Sequence, residues 1–119
     1  MRKLLEELAE IDAKTYEKIS FACMDAFEGH TPESMLDDSP NDEVEIVCDL
    51  IQGACQRVIA ARGWHWLLED SDPSIRTNVG GFVCDICDKN YDVLAGYIQG
   101  ESPAKSILAA YLSAIRSRP

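Results

Sequence analysis

Residues 38–63, DSPNDEVEIVCDLIQGACQRVIAARG, constrain the fold more than any other stretch. Val47, Ile51, Ala54, Val58 and Ala61 recur at steps of four and three, with Val44, Leu50, Cys55 and Ile59 widening the stripe. That spacing predicts one long helix with an apolar face that must be covered. On the opposite side Asp38, Asp42, Glu45 and Asp49 also fall at steps of four, three and four. Ser39-Pro40 supplies a start: a side-chain acceptor for a free N–H, then a residue with no N–H to leave unpaired. Gly63 supplies the stop. Gly53, in the middle, weakens the helix by about 1 kcal/mol relative to alanine and marks a close approach or a bend.

The rest of the chain reads as partners for that helix. Residues 2–28 predict a first helix, with Leu4, Leu8, Ile11, Thr15, Ile19, Ala22 and Ala26 in register and Gly29 ending it. Thr31-Pro32 introduces a helical turn near 32–36. Trp64-His65-Trp66-Leu67-Leu68 reads as a second short turn, near 64–69, plugging one end of a bundle. Asp72-Pro73 repeats the cap-then-proline pattern. It opens a third long helix to about Ile98, with Ile75, Val79, Phe82, Ile86, Asn90, Val93 and Tyr97 on its face and a break at Gly80-Gly81. Ser102-Pro103 opens a last helix to about Arg116, burying Ile107, Leu108, Tyr111, Leu112 and Ile115. No stretch alternates apolar and polar residues long enough to require a strand. The expected fold is therefore all-α: a compact bundle of four main helices plus one or two short helical turns. At 119 residues the chain makes a single helical domain.

Acids outnumber bases 21 to 11, a formal net charge of −10. That excludes direct nucleic-acid binding, which needs Lys and Arg to replace counterions on phosphates, and an anionic membrane surface. It permits a protein partner with a basic surface. No run approaches the roughly 18 apolar residues of a membrane span. Met1-Arg2-Lys3-Leu4-Leu5 meets Glu6-Glu7 too soon to be a signal peptide. A cytoplasmic location with reduced thiols is expected.

The five cysteines are Cys23, Cys48, Cys55, Cys84 and Cys87. Cys84-Asp85-Ile86-Cys87 is a lone C-x-x-C, without the second pair that a zinc site brings and without the βαβ setting of a redox motif. Four cysteines would converge only if Cys48 and Cys55 faced the same neighbour. Core packing is the ordinary role for such thiols. His30 and His65 are isolated. Glu7 and Glu10 match the first half of the magnesium set of helical nucleotide pyrophosphohydrolases, but Glu69 and Asp72 match the second half only in letters. No catalytic residues, metal or cofactor are assigned, and the chain is not expected to be an enzyme.

The acidic row remains. Exposed helices ordinarily mix Glu with Lys at four-residue spacing, yet seven acids and no base lie between Glu33 and Asp49. From Asp38 to Asp49 they span roughly 16 Å of helix. A second row, Asp85, Asp88 and Asp92, is expected on the third helix. These seven residues are the candidate partner-binding set. In size, acidity and helicity the chain resembles phage-encoded inhibitors, the anti-CRISPR proteins among them, a likeness resting on the Glu33–Asp49 run. The resemblance implies an inhibitor or adaptor in a bacterial or infected host cell that occupies a basic surface of a CRISPR effector complex, blocking DNA recognition or cleavage. Two alternatives stand beside it: a carboxylate–magnesium helical enzyme using Glu7 and Glu10, and a structural homodimer joined through Trp64 and Trp66.

Overall fold

The computed structural model describes residues 1–38, 41–71 and 81–117, without the side chains of residues 38, 41 and 71. Five helices and a three-stranded antiparallel sheet follow in chain order. They are α1 (Arg2–Ile11), α2 (Ala13–Ala26), α3 (Pro32–Asp38), α4 (Asn41–Ala61), β1 (His65–Ser71), β2 (Gly81–Cys87), β3 (Val93–Gly100) and α5 (Pro103–Ser117). The all-α helical bundle is thereby overturned, and the fold is mixed α/β.

The centre of the fold is α5. Ala104, Ser106, Ile107, Leu108, Ala110, Tyr111, Leu112, Ala114 and Ile115 are all buried, which leaves this helix almost no solvent face. A helix apolar on nearly every side has to be enclosed. It is enclosed between α1 and α4 on one side and β2 and β3 on the other. Its start is the one the sequence predicts: the Lys105 N–H donates to Ser102 Oγ (3.2 Å). Of the predicted stripe of α4, Val47, Ile51, Ala54, Cys55 and Ile59 are in the core, Val44, Leu50 and Val58 are half-buried, and Ala61, in the last turn, is exposed. Gly63, at φ +77°, ends the turn that follows it. The Ser39-Pro40 cap lies outside the described residues.

The predicted first helix is two helices. Asp12 leaves the helical region (φ −141°, ψ 75°), and its carboxylate then caps α2 by accepting from the Thr15 N–H (3.3 Å) and the Thr15 hydroxyl (2.6 Å). Gly29, at φ +88°, follows α2 as expected. Thr31 caps α3, its Oγ1 accepting from the Ser34 N–H (3.2 Å).

The predicted turn at 64–69 and helix at 72–98 are where the sheet stands, in the order β1-β2-β3. Residues 72–80, with the Asp72-Pro73 cap and Gly80, lie outside the described residues. The core-facing side of the sheet is set by Trp66 opposite Ile86, Leu68 opposite Cys84, and Ile98 opposite Cys84. Directly opposed residues share a face, so His65, Leu67, Asp85, Cys87 and Val93 belong to the outer side. The decisive local feature is the turn Asp88-Lys89-Asn90-Tyr91-Asp92. Asp88 is only 3% exposed, and its Oδ1 accepts from the N–H groups of Asn90 (2.8 Å) and Asp92 (3.0 Å). An aspartate that binds backbone N–H groups ahead of it competes directly with helix formation. Asp88→Ala is expected to lower stability by about 2 kcal/mol, read as a fall in the midpoint of thermal unfolding, because two turn amides lose their acceptor.

β3 carries extra residues relative to β2, since Cys84 pairs with Ile98 but Ile86 pairs with Ala95. Tyr97 takes up the bulge at φ +60°, and its N–H donates to Asp85 Oδ1 (2.6 Å). A side-chain carboxylate thus stands in for the ladder at the bulge.

Candidate functional site

The seven predicted site residues do not share one surface. Asp42, Glu45 and Asp49 lie along the exposed side of α4. Asp38 is the last residue of α3 rather than part of the long helix, and its side chain lies outside the description. The row on α4 therefore has three members and covers roughly 10 Å. Asp85, Asp88 and Asp92 form no helical row. Asp85 sits in β2 and is bound to the Tyr97 N–H, Asp88 is buried in the hairpin turn, and only Asp92 of the three is exposed. The helical spacing that linked them has no meaning on a strand and a turn.

The α4 row gains a member that the sequence does not indicate. A depression of about 530 Å³ lies between α4 and the start of α5, lined by Glu45, Asp49 and Glu101, with Cys48, Gln52 and Phe82 also contributing. Glu101 is 52 residues from Asp49 in sequence; only the packing of α4 against α5 joins them. Lys105 reaches Glu101 at 3.5 Å. Among the described residues, no Lys or Arg pairs with Asp42, Glu45 or Asp49, although nearby acids are matched: Arg2 holds Asp37 at 2.5 Å, and Glu33 accepts from the Tyr16 hydroxyl (2.6 Å). The unmatched charge is felt locally. Burial pushes the Cys48 thiol up, and the carboxylates of Asp49 and Glu45 push it further in the same direction.

The cysteines take separate places. Cys84 and Cys87 lie three apart on a strand, so one faces the core and the other the outer side, which breaks the C-x-x-C as a chelating pair. Cys84 is fully buried and Cys87 partly exposed. Burial raises Cys55 to about 12, with Cys84 beside it adding to the effect. Burial likewise raises Cys84 to about 12, with help from Asp85. These thiols stay protonated at neutral pH, which makes them packing groups rather than nucleophiles. Glu7, from the magnesium alternative, is taken by Arg116 (2.6 Å), Glu69 lies on β1, and Asp72 is outside the described residues. Among the described residues no group of three His, Cys, Asp or Glu is placed to hold a metal ion.

The sheet's outer side is the surface that sequence reasoning missed. Tyr97 and Val93 were expected in the core and are exposed instead, beside Leu67 and Tyr91. Their depression has a volume of about 470 Å³.

Comparison of the chain with protein-family models, curated proteins and solved structures finds no match. Among the described residues, no helix is long and apolar enough to cross a membrane.

Proposed function

We propose that this chain is a protein-binding inhibitor or adaptor whose α4 face docks on a basic surface of a partner, one built to receive nucleic acid. The observation that carries this reading is the exposed row Asp42, Glu45 and Asp49, which no described Lys or Arg matches, deepened by Glu101 into an anionic depression. Carboxylates with no internal partner retain their full attraction for an incoming Lys or Arg. Fixed on a helix packed against the core, they lose little freedom on binding. A DNA- or guide-RNA-holding channel of a CRISPR effector complex is a surface of that chemistry, and the cytoplasm is the compartment in which it would be met.

Glu45→Lys combined with Asp49→Lys tests the reading. Asp42 is left in place because its charge also favours the first turn of α4. Partners captured on the immobilised chain are assayed for duplex-DNA or guide-RNA binding with the free chain present. The wild type is expected to displace the nucleic acid, less so as salt rises, and the double variant to be about a hundredfold weaker. Both side chains are exposed, and lysine would then stand three residues from Asp42 and in one depression with Glu101, so the exchange keeps the variant folded. Equal displacement by both proteins, or displacement indifferent to salt, would remove the ridge from the mechanism.

A further inference from the structure

The outer side of the sheet joins exposed aliphatic and aromatic side chains to a carboxylate. Leu67 is 53% exposed, Tyr91 71%, Val93 66% and Tyr97 46%, and together with Asp85 they line one depression. Large apolar side chains clustered in this way mark a binding surface more often than scattered ones do. His65 stacks flat on Tyr91, ring centroids 4.8 Å apart and planes 5° from parallel, which holds that ring in place. Neither β1, β2 nor β3 contains a Lys or Arg, whereas Glu69 and Asp85 lie on the outer side.

We infer that this face binds a protein segment presenting arginine among apolar side chains. The charge decides between occupants. A second copy of the chain would set acid against acid, with a net charge of −10 on each molecule. An anionic or nucleic-acid ligand meets the same repulsion. A guanidinium finds two complementary features in one place: tyrosine faces for stacking, and a carboxylate suited to paired N–H donors. The chain already uses this contact internally, where the Arg62 guanidinium lies 5.0 Å from the Trp64 ring centre and 5.7 Å from that of Tyr111. Asp85 is preset for the role. Its bond to the Tyr97 N–H fixes the carboxylate, and among the described residues it accepts no other hydrogen bond. Leu67 and Val93 then cover the apolar neighbours of the arginine. The occupant is a segment of protein because β1, the turn after β2 and β3 all contribute exposed side chains, a footprint wider than one small cation fills.

The experiment titrates the intact chain with the blocked peptide acetyl-Val-Arg-Leu-Arg-Val-amide and with its citrulline analogue, which keeps the shape and loses the charge. Backbone amide shifts are followed by NMR. The arginine peptide is expected to move the amides of Leu67, Asp85, Tyr91 and Tyr97, and the citrulline peptide to bind about tenfold more weakly. Asp85→Asn keeps an oxygen for the Tyr97 N–H and loses the charge; it is expected to weaken the arginine peptide about tenfold and leave the citrulline peptide unchanged. Tyr91→Asn suits the left-handed backbone at that position (φ +65°) and removes the ring, with a similar loss. The double α4 variant retains the shifts at the sheet, so failure there and failure of the ridge reading are told apart. Equal binding of both peptides, shifts centred on α4, no shifts, or dilution-dependent shifts of the same amides without peptide would each overturn the inference, the last by placing a second copy on the face.

Discussion

Gly100→Ala is expected to destabilise the protein by about 3 kcal/mol, at the upper end of what overpacking ordinarily costs. Gly100 is the last residue of β3 and lies against the first turn of α5. A Cβ there would stand 2.5 Å from the Ser106 nitrogen, 2.8 Å from its Cα and 3.0 Å from the Lys105 carbonyl carbon. All three are backbone atoms, so no side-chain rotation relieves the overlap. The junction is also fixed from the other side, where the buried Ser106 hydroxyl donates to the Ile98 carbonyl (2.8 Å). Either the hairpin separates from α5 or the first turn of α5 unwinds, and both open the centre of the core. Gly96→Ala is the control. Its Cβ would meet only Val93 Cγ1 at 3.4 Å, an ordinary contact. Urea unfolding of both variants should show a large drop for Gly100→Ala and a change within about 0.5 kcal/mol for Gly96→Ala.

Asp12→Ala is expected to cost about 3 kcal/mol at neutral pH, and less in acid. One carboxylate serves three donors: the Thr15 N–H, the Thr15 hydroxyl and the hydroxyl of the fully buried Tyr111. Removing it deletes the cap of α2 and leaves the Tyr111 hydroxyl without its acceptor, two effects of about 1–2 kcal/mol each. Burial alone would raise the Asp12 carboxyl. The hydrogen bonds from Thr15 and Tyr111, with the Arg62 charge, outweigh it and hold the group below its ordinary value of 3.8. The folded state therefore binds this proton less readily than the unfolded chain. The stabilisation is complete above the unfolded pKa of about 3.9 and is lost as pH falls through the lower folded value. Unfolding free energies of wild type and Asp12→Ala should therefore converge as pH drops below about 4. Tyr111→Phe leaves the cap intact and should cost about 1 kcal/mol.

Both sites show where local pattern stopped being informative. The apolar period through 2–28 is continuous, and nothing local reveals that Asp12 leaves the helix to meet Tyr111, 99 residues away. Between 82 and 97 the residues Phe82, Ile86, Val93 and Tyr97 fit a helical period, while Phe82, Cys84 and Ile86 equally fit a strand period. Asp88 settles the choice by binding the amides of Asn90 and Asp92, and a short apolar run such as Trp66-Leu67-Leu68 then becomes the neighbouring strand. The carboxylates at 85, 88 and 92 consequently separate into a bulge ligand, a turn ligand and one exposed side chain.

The sequence by itself determined the apolar stripe of α4, the start of α5 at Ser102-Pro103, the stops at Gly29 and Gly63, and the exposed charges at 42, 45 and 49. Each depends on interactions within a few residues along a helix, where spacing alone fixes which side chains are neighbours. Tertiary structure alone decided that 65–71 and 81–100 form a sheet, that Glu101 joins Glu45 and Asp49, and that Tyr91, Val93 and Tyr97 face outward. Those outcomes turn on which distant segments meet, because a strand satisfies its backbone only through a partner strand and shows only one face to the core. No periodicity within one segment carries that information.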